Sequence, residues 1–228
     1  MSQLALRRIA VSVAMFGIIA LGSAVAAKAD TVTFQLNQGS TLPNQNYGTI
    51  RLTLNGSGGI DVQVNLINNN VLVHTGFNAT VAFNQTGTDP QISISNIVAG
   101  TGDNGNYTLV NSGNAGTIGM DGFGNFEYGV LYGPMGGGAG VDSTLSFTVT
   151  RVGGFTTVND LVELSTNPPG TFTSPFAVDV LCPSCNGGQG ATGIVGTSAP
   201  VPEPTTMMLL GTGLLGVAGI ARRRLRKS

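Results

Sequence analysis

At 228 residues the chain allows one domain or two small ones, and 41% hydrophobic residues are enough to close a sizeable core. Charged residues make up only 9%, Gly fills 35 positions and Trp is absent, so solubility rests on Asn, Gln, Ser and Thr. Between Asp30 and Val201 ten carboxylates face only Arg51 and Arg151, a net charge of -8 that repels nucleic acid, whose phosphates require Lys and Arg.

The opening MSQLALRRIAVSVAMFGIIALGSAVAAKAD has the three parts of a secretory signal. Arg7 and Arg8 hold the start on the cytoplasmic side, Ile9 to Leu21 form an apolar run, and Ala27-Lys28-Ala29 offers small residues to signal peptidase. Residues 1–29 are therefore predicted to be a signal peptide cleaved before Asp30, with Ala26/Ala27 as the alternative. Ile-Ala-Val after the two arginines is a poor match to a twin-arginine signal, which favours ordinary Sec export.

From Asp30 onward the pattern has period two. TVTFQLN, TIRLTL, IDVQVNLI, ATVAFN, QISISNI, NFEYGVLY and TLSFTVT alternate apolar with polar residues, which predicts strands with one buried and one wet face. Gly, Asn and Asp punctuate them, as at Asn55-Gly56 and Gly153-Gly154, where tight reversals need residues that tolerate positive φ. VNDLVEL, Val158 to Leu164, predicts a short helix, and FAVDVLC and TGIVG read as closing strands. The segments Val98 to Asn125 and Gly133 to Ser143 read as long loops, either binding surface or disorder. This succession predicts an all-β domain over 30–183, an antiparallel β-sandwich of jelly-roll type, with a β-solenoid as the alternative. A Gly/Ser/Thr-rich stretch over 184–200 predicts a last strand passing into a flexible stalk.

The chain ends VPEPTTMMLLGTGLLGVAGIARRRLRKS. Residues 205–221 carry no charge and predict a single membrane-spanning helix of about 25 Å, short against a hydrocarbon core of about 30 Å. Four glycines weaken it further, so it suits a temporary anchor. Arg222, Arg223, Arg224, Arg226 and Lys227 form a basic stop on the cytoplasmic side, which places the body outside, as the signal peptide independently does. Pro202, Glu203 and Pro204 hold the chain extended just outside the bilayer, as an ordinary hinge or as a processing site. In this order the tripeptide, the Gly-rich apolar run and the Arg cluster closely resemble the PEP-CTERM sorting signal of Gram-negative bacteria. The resemblance covers residues 200–228 and implies recognition by exosortase, an integral-membrane transpeptidase-like protease, with an association with exopolysaccharide and biofilm. It implies nothing about residues 30–199.

Constellations for chemistry are sparse. His74 is the single histidine, and a Ser/His/Asp arrangement would have to orient it with Asp61 or Asp89; a packed strand-end His is the simpler reading. Carboxylate pairs for glycoside hydrolysis can be drawn from Asp121 with Glu127 or Asp160 with Glu163, but aromatic sugar platforms are few and Trp is absent. Cys182 and Cys185 predict a local disulfide in an oxidising compartment. Asp103-Asn104-Gly105-Asn106 is either a turn or part of a calcium loop, with Asp121 and Asp142 as outside ligands; no other metal or cofactor is expected. Tyr107, Phe123, Phe126, Tyr128 and Tyr132 are the one local ring cluster that could contact a glycan. The sequence thus predicts a non-enzymatic exported protein: an inner-membrane-anchored precursor whose mature domain is periplasmic, cell-surface or extracellular, within an exopolysaccharide matrix. A lectin-like module is the alternative and a glycoside hydrolase the third reading.

Overall fold

The computed structural model describes residues 30–201 except 77–78, 88–90, 101–105, 112–115, 134–141 and 167–171. The predicted signal peptide and residues 202–228 of the sorting segment lie outside the described residues. No described helix is long and apolar enough to cross a membrane.

Thirteen strands follow in chain order: β1 (Thr31–Gly39), β2 (Gly48–Leu54), β3 (Ile60–Leu66), β4 (Val71–Leu72), β5 (Val81–Phe83), β6 (Ile92–Ala99), β7 (Tyr107–Asn111), β8 (Ile118–Met120), β9 (Gly124–Phe126), β10 (Tyr128–Tyr132), β11 (Thr144–Arg151), β12 (Phe176–Cys182) and β13 (Ala191–Val201). The all-β expectation holds. The predicted helix is reduced to a 3₁₀ turn over Val158–Leu161, opened by Thr157, whose hydroxyl accepts from Asn159 N. Asp30 pins this turn, its carboxylate accepting from Thr157 Oγ1 at 2.8 Å and Val158 N at 3.0 Å.

The sandwich expectation needs correction. All pairings are antiparallel, and eleven strands form one hydrogen-bonded sheet in the order β6-β11-β3-β2-β1-β13-β12-β5-β10-β7, with β4 also on β12. The sheet curls until its two end strands, β6 and β7, come near each other without pairing. One core fills the inside, from Phe34, Ile50, Val62 and Phe147 on one wall to Phe83, Tyr128, Phe176 and Val195 on the other. This antiparallel order also rules out the β-solenoid. Alternation along a strand states that it has two faces; it does not state whether the sheet breaks in two or rolls up.

The two halves of the sheet differ on their outer faces. β1, β2, β3 and β11 alternate, and their outward residues, such as Thr33, Arg51, Gln63 and Ser146, are partly or fully exposed. The other half is buried on both faces. There Gly196, Ala177, Ala82 and Gly129 pair in sequence across β13, β12, β5 and β10, making a row of residues with almost no side chain. Onto this row lies the β8–β9 hairpin, which adds Ile118, Met120, Phe123 and Phe126 to a second apolar cluster with Ala79, Ala82, Ala177 and Ile194. The apparent long loop Val98 to Asn125 thus contains β7, β8 and the start of β9.

Close approach dictates the glycines. A Cβ on Gly196 would stand 2.2 Å from the Phe123 ring, and one on Gly129 2.5 Å from the Ala79 Cβ. The Gly196 backbone is not in the left-handed region, so a Gly196→Ala change is conformationally allowed and its cost comes from displacing the ring. Gly196→Ala is expected to destabilise by about 1–3 kcal/mol in urea unfolding, with much of the loss recovered when Phe123→Leu is added. Additive losses in the double variant would show that the ring and the glycine are uncoupled.

Candidate functional site

The five rings proposed as glycan contacts form no exposed platform. Tyr107, Phe123, Phe126, Tyr128 and Tyr132 are all at most 5% exposed. Tyr107 and Tyr132 pack together with centroids 5.0 Å apart, and Tyr107 donates to the Asp142 carboxylate at 2.9 Å. Tyr128 Oη accepts from Gln85 Nε2 at 2.9 Å, while Phe123 packs on Phe172 at 5.8 Å. A chain with 6% aromatic residues and two apolar clusters to fill places its rings inside. The lectin-like reading based on these rings is therefore corrected.

The acid and base candidates are dispersed. Asp61 stands on the outer face of β3, its Oδ1 accepting from Thr148 Oγ1 at 2.8 Å and Asn55 Nδ2 at 3.1 Å. It therefore belongs to a surface network, and Asp89 lies outside the described residues. Asp160 is held by Arg151 at 3.0 Å and accepts from Thr156 N at 2.9 Å, while the Arg151 guanidinium covers Phe155 at 4.4 Å. It ties off the turn after β11. Glu127 accepts from Gln85 N at 3.4 Å, and Asp121 is exposed in the turn between β8 and β9. Asp103 lies outside the described residues; Asp142, one of its suggested partners, is buried against Tyr107. No group of three or more His, Cys, Asp or Glu among the described residues could hold a metal ion.

Next to His74 in the chain, Thr75 holds an acid that the sequence did not single out. Asp179, in the middle of β12, is fully buried and is held by Thr75, the residue that follows His74. Its Oδ2 accepts from Thr75 N and Thr75 Oγ1, each at 2.7 Å. Neither its Oδ1 nor His74 Nδ1 has a hydrogen-bond partner among the described residues. Burial raises the Asp179 pKa above the ordinary carboxylate value, while the Thr75 bonds and His74 oppose the shift. An acid inside the otherwise apolar run FAVDVLC was the available signal.

Cys182 and Cys185 are joined in a disulfide at the turn between β12 and β13. Gln45 Nε2 lies 3.7 and 3.5 Å from the two sulfurs, and Tyr47 Oη donates to Pro43 O at 2.6 Å beside them. The bridge therefore closes the β12–β13 turn, and the loop before β2 lies against its sulfurs.

Depressions open on the surface beside two groups of the described residues. One, of about 410 Å³, lies on the wet face and is lined by Arg51, Thr53, Asp61, Gln63, Asn96 and Thr148 among others. Asn96 takes a left-handed φ of 53° at a bulge between β6 and β11 and donates to Thr148 Oγ1 at 3.2 Å. Arg51 makes no ion pair among the described residues. The second, of about 290 Å³, borders the end of β13 at Thr197, Ser198 and Pro200 and includes Leu164, which is 52% exposed.

The stretch read as a stalk, 184–200, is instead a 3₁₀ turn at Asn186–Gly188 followed by β13, which runs between β1 and β12. Its Gly, Ser and Thr residues answer to close packing, as at Gly196 and at Thr197, whose N–H donates to Ser174 Oγ at 2.8 Å. Pro202, Glu203, Pro204 and the basic stop lie outside the described residues.

Because the native Asp179 carboxyl holds its proton to a higher pH than in the unfolded chain, its contribution is greatest below about pH 4 and is lost as pH rises through the raised native value. Asp179→Asn is expected to gain stability relative to wild type as pH rises from about 4 towards neutrality, read by urea unfolding at a series of pH values. A gap that does not change with pH would place the native pKa at the unfolded one.

No curated protein and no solved structure matches the chain. Residues 200–227 match the family model described as the PEP-CTERM protein-sorting motif, so the chain carries at its C-terminal end a motif that implies export, a membrane-anchored precursor and targeting by exosortase.

Proposed function

We propose that this protein is a non-enzymatic structural component of the cell-surface or exopolysaccharide layer, delivered there by processing at Pro202-Glu203-Pro204. The match of residues 200–227 to the sorting motif carries the reading. In it, residues 1–29 are removed by signal peptidase, 205–221 hold the precursor in the inner membrane, and an exosortase-type protease acts at the tripeptide.

The body supports this role through its wet face. The outward rows of β1, β2, β3 and β11 present Thr31, Thr33, Thr49, Gln63, Asn65 and Ser146, with Arg51 and Asp61 as local charges. Short hydroxyls and amides exchange their bonds to water for bonds to sugar hydroxyls at little net cost, which suits a hydrated polysaccharide gel. The burial of the rings favours this diffuse contact over a lectin pocket. The commitment of Asp160 to Arg151 and Thr156 favours a structural role over a hydrolytic one.

Intact-mass measurement of protein recovered from the cell-surface and matrix fractions is expected to give a chain that begins at Asp30 and lacks residues 205–228. A protein that still carries its arginine tail at its final location, or that stays in the cytoplasm, would overturn the reading.

A further inference from the structure

The sorting motif and the barrel share residues. The motif match begins at residue 200, whereas β13 ends at Val201, so the sequence leaves no linker between the folded domain and Pro202. Thr33 pairs with Val201 and Phe34 with Pro200, joining the last residues of β13 to the first strand of the domain. An extended chain advances about 3.3 Å per residue, so three residues can reach at most about 10 Å beyond Val201. An enzyme that grips Pro202-Glu203-Pro204 therefore works against the wall of the barrel.

The end of β13 is held unevenly. From Ala191 to Gly196 the strand pairs with β12 on one side, and its pairing with β1 on the other side runs from Val195 onward. Thr197 is then fixed from the side: its N–H donates to Ser174 Oγ at 2.8 Å, and the two hydroxyls lie 3.0 Å apart, both residues buried. Beyond Thr197 the β12 partner is gone and the second depression opens alongside. Among the described residues only β1 remains as a strand partner, with register shifts on both sides of Leu36, and Pro200 brings no N–H to the ladder. The strand is thus strong up to Thr197 and weak from Ser198 to Val201.

We infer that Ser198–Val201 form a substrate segment for the processing enzyme, peeled from β1 before the tripeptide can enter its cleft, with the Ser174–Thr197 contact as the stop that keeps the rest of the barrel folded. This rests on the proposed sorting route and adds to it: the cleft has to take in extended backbone upstream of the tripeptide whatever its side chains, and the opening of the barrel's last rungs limits the rate of processing. A peptidase cleft encloses extended backbone, and a strand hydrogen-bonded to its neighbour cannot be enclosed.

The test is a lock across the register pair. Directly opposed residues of antiparallel strands stand within disulfide range, so Thr33→Cys with Val201→Cys closes the end of β13 onto β1. Conversion of the full-length precursor in its own host is followed by pulse-chase and intact mass. The double variant is expected to convert at least about tenfold more slowly than either single-cysteine chain, which serves as the reference for the substitutions themselves. A flexible insert of about six Gly/Ser residues between Val201 and Pro202 is expected to restore conversion of the locked chain, which also shows that the locked protein is folded and exported. Conversion of the locked chain at the rate of the single-cysteine chains would overturn the inference, and so would a locked chain that stays blocked with the insert present. Normal conversion of a chain with Pro202, Glu203 and Pro204 all changed to Ala would instead overturn the sorting route itself.

Discussion

The row of Gly196, Ala177, Ala82 and Gly129 is the constraint on which the rest of the fold depends. Four neighbouring strands carry almost no side chain at that level, so the β8–β9 hairpin can lie directly on the sheet and seat Phe123 against Gly196. Half of the sheet is thereby dry on both faces. Apolar residues that would be exposed on an open barrel become a second core, which lets a chain with few aromatic residues bury almost all of those among the described residues.

The same arrangement sorts the polar residues. With one half of the outer surface covered, the water-facing hydroxyls and amides are concentrated on β1, β2, β3 and β11, around the depression at Arg51 and Asp61. Asp61 is engaged there by Thr148 and Asn55 rather than by a base, and Asn96 is bent over the same network by its bulge. The face is polar without strong charge, a property that suits many weak contacts with a hydrated polymer better than one tight pocket.

Chain order joins this fold to its route. The last strand lies between the first strand and β12, so the barrel cannot complete itself until nearly the whole body has emerged. On the proposed route the segment that follows is the temporary anchor, and closure of the barrel comes last, beside the membrane. Long-range pairing of β1 with β13 makes that closure a late step, since loop closure across the full domain has to precede any gain from the contacts.

Much of this was legible in the residues and some of it was not. Period-two alternation located β1, β2, β3, β6 and β11 closely, because a strand with one wet face records its environment in its own residues. The addresses at the two ends are likewise local patterns, readable without a fold. Tertiary structure alone decided that Tyr107, Phe123, Phe126, Tyr128 and Tyr132 face inward, that Asp179 is buried against Thr75, and that the last strand runs on to Val201 between β1 and β12 instead of passing into a stalk. In each case the deciding partner comes from a distant part of the chain. A ring, an acid or a glycine carries no mark of what will cover it.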